Sequence, residues 1–599
     1  MKANKASRIL ALLLAAGSLF MTACGGGNDG SSFGNSSHTH AFTEKNVAEE
    51  YLKSEPDCEN AARYYYSCEC GEKGEESFAE GKQLWHSYTE KVMADEYFKA
   101  PANCQRGAEY YLSCVRCGKK GLDYHVFYDD ELGDCVYNQE VAEPQYIKTE
   151  PTLEKNTEYY KSCVCGAKGN GETFWAGEPL TPIPDADKPQ YKATSLTVTM
   201  YDSKQSVYGF TYNTDEKPLR AVIQIKKGDT LSGSWEEYTL ISKQYKTYDE
   251  NDQQLAYWVS KVDIKLDASS TYTYRAYDKY AEIGTETTGI QTKDPNATKF
   301  TFTHVSDSQV DTASDGSGAY YKQVLSNIVG ATDFAVHTGD MTNNPKYEWQ
   351  WDNMVDSNFS YLSKLPVMPV SGNHEQMAWY GGENEMFEHF HNKFPEQTTT
   401  TGYYFSFEYG NAKFLLLNTN TNGSGGLDGA QYEWLVNELK NNTCTWTFVA
   451  MHCPMYSAGQ WGIRPDRKPQ SMALRNQLSK LFAQYGVDVV LQGHDHLISR
   501  TLPINEDCET TTETWETVNG IEYSVNPDGV LYLMNGPAGN QTRSPYSMEE
   551  GALYKYVLSS NVSSWADFEI DGNTLTVTAK YATESGVQQY RKWGIKKTA

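Results

Sequence analysis

The sequence predicts an α/β layered fold in its C-terminal half, preceded by an all-β segment and by small cysteine- and histidine-bearing repeats. Three observations carry this expectation. From Lys299 onward, apolar runs of strand length alternate with segments of helical period. From about Tyr191 to Thr292 the chain reads as short alternating strands with no long helix. Before that, one pattern recurs three times between residues 38 and 178. At 599 residues the chain is too long for one domain, and three or more units are expected. A net charge of −26 argues against a general nucleic-acid-binding surface, because phosphate backbones attract basic proteins.

Residues 1–23 read as a secretory signal. Lys2, Lys5 and Arg8 precede an apolar run from Ile9 to Phe20, which then meets Met21-Thr22-Ala23-Cys24. The run is shorter than the ~20 apolar residues that a permanent span requires. Leu19 to Cys24 resembles a bacterial lipobox, and that resemblance implies that Cys24 carries the lipid and becomes the mature N-terminus; a plain cleaved signal is the alternative. Residues 24–37, rich in glycine and serine, form a flexible tether.

The repeats occupy 38–85, 86–134 and 135–178. His40 and His86 open the first two, and a cysteine follows 18 residues on, at Cys58 and Cys104. Cys68 and Cys114 come ten residues later, each after a tyrosine pair, followed by Cys70-Gly71 and Cys117-Gly118. The third copy runs from Cys135 to Cys163 and Cys165-Gly166, and all three continue as Cys-Gly-x-Lys-Gly. Three cysteines and one histidine at fixed spacing fit a structural zinc site within each copy, since four N/S ligands close a tetrahedron. A disulfide framework is the rival in an exported chain, although three cysteines per copy leave one thiol over. In the third copy Cys135 replaces the histidine, which preserves a ligand, whereas Leu153 at the Cys58/Cys104 position leaves that copy one ligand short. Stapled units of this size would display or space the rest of the protein.

Residues 179–190 hold four prolines and read as a semi-rigid linker. Residues 191–294 then supply strands such as Ser195–Tyr201, Arg220–Ile225, Tyr257–Ile264 and Thr271–Tyr277, which suggest a β-sandwich of immunoglobulin or fibronectin type. From 298 to 599 the reading is strand Phe300–Val305, helix Gly318–Val329, and strands Phe334–His337, Val367–Val370 and Lys413–Leu417. Helix Ala430–Leu439, strand Thr445–Ala450, helix Ser471–Tyr485 and strand Val487–Leu491 complete it.

Five polar segments follow apolar strands in this region: Asp307-Ser308-Gln309, Gly339 to Asn343, Gly372-Asn373-His374-Glu375, His452 to Tyr456, and Gly493-His494-Asp495-His496. Singly, each is a turn, a cap or a surface histidine. Together, at the carboxyl ends of strands, they can converge on one ligand. Carboxylate, amide and imidazole donors suit iron, zinc or manganese, so the set points to metal-assisted hydrolysis. Cys453, next to a ligand on a strand, should face the other way and pack.

These segments resemble the calcineurin-like metallophosphoesterase superfamily. With the preceding β-sandwich the chain looks like its purple acid phosphatase branch, over roughly Tyr191 to Ala599. The Tyr403–Gly410 stretch and Arg500, four residues after His496, agree with it. The resemblance implies a four-layer α/β/β/α sandwich that hydrolyses phosphate esters with hydroxide generated at a dinuclear centre. It implies one metal on Asp307, Asp340 and His496, a second on Asn373, His452 and His494, Asp340 bridging, and His374 contacting the phosphate or protonating the leaving group. Two departures stand out: Asn343 occupies the position where the purple branch has a tyrosine on ferric iron, and Gln309 ends the first segment, where it would ligate through its amide oxygen or line the site. The expected protein is therefore a secreted, lipid-anchored phosphomonoesterase acting on small phosphate esters outside the cell membrane. The alternatives are a phosphodiesterase or nucleotidase on the same site, and a non-catalytic surface protein whose repeats bind a cell-surface or protein partner. Trp379, Tyr380 and Trp461 would stack on a substrate ring or pack their loops.

Overall fold

The computed structural model describes residues 39–599 apart from 178–187, 377–384, 393–402, 421–425, 464–467, 542–552, 559–562 and the positions 103, 105, 123–124, 150, 152–154, 231, 314, 428, 584 and 599. The signal, Cys24, the tether, most of the proline-rich linker, Leu153, Trp379 and Tyr380 lie outside the described residues, as does the Trp461 side chain. Two compact units divide between Val136 and Tyr137.

In the first unit, strand Ala62–Ser67 of the first copy pairs with Glu44–Lys45, Leu52–Ser54 and Lys73–Glu80, all antiparallel. The second copy builds the same plan from two smaller ladders: Tyr88–Glu90 with Ser113–Cys114, and Glu109–Tyr111 between Phe98–Ala100 and Val126–Tyr128. The third copy, in the second unit, repeats the first: Thr157–Cys163 pairs with Tyr137–Gln139, Ile147–Thr149 and Lys168–Ala176. A tie that the spacing pattern had not singled out recurs in all three. The hydroxyls of Tyr51, Tyr97 and Tyr146 donate to the carbonyls of Gly71, Gly118 and Gly166 at 2.9, 2.7 and 3.0 Å. Each glycine holds a left-handed φ, at 89°, 70° and 84°, which a side chain would resist.

The β-sandwich sets Ala193–Asp202, Val207–Thr214, Gln254–Lys265 and Ile241–Tyr248 against a second antiparallel sheet around Ala221–Lys227 and Thr271–Asp278. Its core, with Phe210, Ile223 and Tyr274, is continuous with that of the layered domain that follows.

That domain holds two large sheets. The first runs Val367–Pro369, Phe334–His337, Lys299–Val305, Ser564–Asp571, Thr574–Thr583, Gly586–Lys596, Ile521–Val525, Trp515–Val518. The second runs Phe405–Tyr409, Ala412–Leu417, Trp446–Met451, Val489–Gln492, Leu531–Asn535, Ile498–Thr501, Tyr554–Leu558. Strand alternation sorts side chains into three large cores, beside a small one around Leu497 and Met534. Phe302, Phe334, Phe414, Phe448 and Phe568 meet between the sheets, with Phe302 and Phe448 centroids 5.0 Å apart. Val305 and Ala335 face outward onto helix Gly316–Ile328 through Tyr321, Val324 and Leu325. Leu415, Leu417 and Val490 face outward onto helices Gly429–Lys440 and Lys468–Gln484 through Leu435, Leu474 and Leu478. The result is an α/β/β/α stack.

The helices and strands expected up to residue 492 are present, with no end moved by more than three residues. The strands beyond residue 497 were not anticipated. One of them, Ser564–Asp571, enters the first sheet beside Lys299–Val305 and pairs with it antiparallel.

Candidate metal centre

The five polar segments all follow strand ends on one edge of the two sheets. The parallel strands Lys299–Val305, Phe334–His337 and Val367–Pro369 deliver Asp307, Asp340 and Asn373, and Trp446–Met451 and Val489–Gln492 deliver His452 and His494. The glycines in these segments permit the convergence. A Cβ on Gly372 would fall 2.2 Å from Asp340 Oδ1, and one on Gly339 would fall 2.6 Å from Gly372 Cα and 2.8 Å from His452 Nδ1.

Asp340 lies at the centre. His452 Nε2 is 3.3 Å from Asp340 Oδ1, 2.9 Å from Asn373 Oδ1 and 3.0 Å from His494 Nδ1. His452 Nδ1 donates to Thr338 O at 2.7 Å, so Nε2 is the atom that faces these three, and it offers a lone pair when a cation displaces its proton. A single proton satisfies only one such contact, whereas a cation satisfies all of them at once. The second group behaves alike. His496 donates through Nδ1 to Gln541 O, and its buried Nε2 sits 3.2 Å from Asp307 Oδ1 with no hydrogen-bond partner among the described residues. The carboxylate, amide and imidazole donors present thus fit two oxygen- and nitrogen-ligated metal ions. Burial disfavours charge on Asp307 and Asp340, but the surrounding histidines outweigh it and hold both well below the usual carboxylate range. Burial likewise opposes charge on His452, yet the Asp340 carboxylate prevails and raises it to about 9.

The supporting groups are buried as well. Glu375 accepts backbone N–H groups from Asp340, Met341 and Gly372 at 2.9, 2.8 and 2.6 Å, locking two ligand loops together. Asp495 turns from the centre to accept the Ser457 hydroxyl and the Gln460 N–H, the latter at 3.2 Å. Behind the site, His304 bonds Thr338 Oγ1 at 2.9 Å, and His337 bonds Ser308 Oγ at 3.0 Å.

His374 Nδ1 donates to Asn343 O at 2.6 Å, and Nε2 points inward, 3.6 Å from Asp340 Oδ2. Gln309, expected among the ligands, instead directs its amide nitrogen at His374 Nε2, 3.0 Å away, and at Asp340 Oδ2, 3.4 Å away. The amide nitrogen thus faces His374 and the Asp340 carboxylate, while the buried Gln309 Oε1 has no hydrogen-bond partner among the described residues. Arg500 is buried on strand Ile498–Thr501, paired through both terminal nitrogens with Glu513 and stacked 4.2 Å over Trp593. It pins the C-terminal strands and does not line the site. Cys453 packs in the outer core, its thiol 3.3 Å from Asn420 Oδ1.

The repeat ligands gather differently from the expected scheme. His40, Cys68 and Cys70 cluster together, but Cys58 does not join them; it gathers with His86, Cys114 and Cys117 of the second copy. The reason is local. Asp57 folds the segment into a tight turn by accepting the N–H groups of Glu59 and Asn60 at 2.8 and 2.7 Å. The carbonyl of Asp57 then accepts the N–H of Leu84 at 2.8 Å, which brings Cys58 beside His86. Cys163 is buried at the end of its strand, and Cys104, Cys135 and Cys165 are partly buried. No disulfide joins these cysteines among the described residues.

Residues 300–497 match the family model of calcineurin-like phosphoesterases. Among curated proteins, purple acid phosphatase 15 of Arabidopsis thaliana is 23% identical over 38% of this chain and 40% of its own length. Probable inactive purple acid phosphatase 27 of the same plant is 26% identical over 36% of each chain. This chain therefore spans well under half the length of these relatives. A purple acid phosphatase from yellow lupin (Lupinus luteus) seeds superposes with a TM-score of 0.56 at 16% identity, covering 68% of this chain and 74% of the other. The chain carries a calcineurin-like phosphoesterase domain with purple acid phosphatase homologues, on the metallophosphoesterase fold.

Proposed function

We propose that this protein hydrolyses phosphate monoesters at the centre built around Asp340. The observation that carries the reading is the convergence of Asn373 Oδ1, Asp340 Oδ1 and His494 Nδ1 on His452 Nε2, four atoms that can each offer an electron pair to a cation. Asp307, Asp340 and His496 would hold one cation and Asn373, His452 and His494 the other, with Asp340 shared. When bound, the pair supplies Lewis acidity that activates water and neutralises phosphate charge. The chain's own residues supply the rest. Asn343 O fixes the His374 ring, Gln309 donates to Nε2 while the ring is neutral, and Nε2 in its protonated form donates instead to a phosphate oxygen or to the departing alkoxide. The Glu375 carboxylate fixes the loops of Asp340 and Asn373, so ligand geometry is set before substrate arrives.

Metal-loaded protein assayed on p-nitrophenyl phosphate and on its bis ester, beside His494→Ala, tests this. The monoester should turn over faster than the diester, and the variant should lose activity on both. Equal inactivity of wild type and variant across iron, zinc and manganese over a range of pH sinks the enzyme reading, and a faster diester reaction moves it to the phosphodiesterases. The general-acid role of His374 has a separate check: His374→Ala should slow alkyl phosphates, with their poor leaving groups, by about 10²–10⁴-fold and p-nitrophenyl phosphate far less.

We also propose that the N-terminal lipobox-like segment places the site outside the cell membrane on a Cys24-linked lipid. Among the described residues no helix is long and apolar enough to cross a membrane. Cys24→Ala should move the protein from the membrane fraction to the soluble one; unchanged fractionation removes the anchor.

A further inference from the structure

We infer that Cys58, His86, Cys114 and Cys117 form a structural metal site of the zinc type that stitches the first repeat to the second, with one ligand lent across the copy boundary. The proposal does not depend on the phosphoesterase reading.

The four ligand atoms all lie within 4.8 Å of one another. Cys58 Sγ and Cys114 Sγ are 3.6 Å apart, and Cys117 Sγ is 3.4 Å from His86 Nδ1. For zinc with Zn–S of about 2.3 Å and Zn–N of about 2.0–2.1 Å, a tetrahedron requires S···S near ~3.8 Å and S···N near ~3.5 Å, so the separations are those of ligands around one ion. The far side of the ring supplies an independent observation. His86 Nε2 lies 3.4 Å from Glu59 Oε1, the carboxylate-to-imidazole contact that orients a metal-bound histidine and leaves Nδ1 for the ion. Glu59 follows Cys58 directly, so the lent ligand and this orienting carboxylate arrive on the same turn. Lys119 Nζ, 2.5 Å from the same oxygen, anchors that carboxylate to the second copy.

The backbone is shaped for the task. Gly118 donates to Cys114 O at 2.8 Å and Cys114 donates to Lys119 O at 2.9 Å, which curls Cys114 to Cys117 into a knuckle presenting both sulfurs on one side. Around His40, the first copy repeats the ring arrangement, with Cys70 Sγ 3.3 Å from Nδ1 and Glu72 Oε2 3.1 Å from Nε2. Two copies with the same ring geometry argue for one ligand chemistry. Zinc would displace the thiol protons and act as a cross-link between copies whose own cores are a handful of side chains.

The test uses the full-length chain, reduced and loaded with Zn²⁺, or with Co²⁺ as a spectroscopic probe. Cobalt should give sulfur-to-metal charge-transfer absorption, which the sulfur-free centre around Asp340 cannot produce. Cys58→Ser and Cys117→Ser should each remove one zinc ion per chain, and the double variant should remove the same single ion. If Cys58 served its own copy, the double variant would lose two. Cys58→His and His86→Cys, which keep a ligand, should retain the ion and the circular dichroism of wild type, separating ligand loss from misfolding. Unchanged zinc content in Cys58→Ser overturns the proposal, as does a zinc-free protein whose mass shows Cys58 and Cys114 oxidised to a disulfide.

Discussion

Asp307, Gln309, Asp340, His494 and His496 all hold left-handed backbone, with φ between 40° and 75°, and all but Gln309 are proposed ligands. Non-glycine residues in that region cost of order 1–3 kcal/mol each, and such strain persists only where the surrounding structure imposes it. Here Glu375 and the close glycines impose it. Gly372→Ala should therefore displace Asp340 and lower monoester hydrolysis by about 10²-fold or more, since an ångström of misplacement costs that much. Metal content and turnover measured together check this, and a variant with wild-type values for both refutes it. Asn343 leads to a second outcome. Its carbonyl serves His374, and no phenolate stands at its position. Iron-loaded protein should lack the tyrosinate charge-transfer band that colours purple relatives, and an absorption spectrum reads this directly.

At the scale of elements, the junction between the sandwich and the layered domain is rich in buried acid. Glu348, which begins helix Glu348–Met354, accepts the Tyr245 hydroxyl of the sandwich at 2.9 Å on both oxygens. Burial, aided by Asp352, pushes Glu348 up to about 8. Burial and Asp352 likewise push Asp356 up to about 7, where it accepts the Ser195 N–H at 2.7 Å. A carboxyl whose folded pKa is raised keeps its proton while the unfolded chain has lost it. Stability is thus fully present below the ordinary carboxylate range and declines as pH climbs toward 8. The melting temperature should fall from pH 5 to pH 8, and Glu348→Gln should flatten that slope. An equally steep slope in the variant would remove Glu348 as the cause.

The same scale shows which parts were legible in the sequence. Phe334–His337 and its neighbours read correctly because each short apolar run ends at a polar ligand segment. Strands such as Ser564–Asp571 were missed because alternation marks a strand without naming its partner, and this one pairs with a strand far upstream. The five converging segments were picked out by residue type and order, whereas the amide orientation of Gln309 depends on His374, which sequence does not place beside it. The ligand exchange at Cys58 was invisible for a different reason. A periodic pattern is unchanged when one ligand is swapped for its counterpart a copy away, so spacing cannot tell the two registers apart. The turn at Asp57 decides between them.

For the whole molecule, the shared core has a practical consequence. Phe210, Tyr274 and Ile290 of the sandwich belong to the same buried cluster as Phe302, Phe407 and Phe414. The Thr197 hydroxyl also bonds His389 O, and a Cβ on Gly209 would fall 2.3 Å from His391 O. A chain starting at residue 298 would expose that apolar face and should aggregate, while one starting at 191 should elute as a compact monomer. Size-exclusion chromatography distinguishes them, and a soluble, active 298–599 fragment would contradict the shared core.

The strand Lys299–Val305 leads directly to Asp307, yet its antiparallel neighbour, Ser564–Asp571, lies downstream of every proposed ligand. A nascent chain can hold every proposed ligand and still lack the strand that closes this sheet. Folding of the domain must wait until that strand has emerged from the ribosome, a long-range pairing that slows folding. Nonsense mutations or tail-clipping proteases acting well past His496 would then silence the protein while leaving all its chemistry-bearing residues in place.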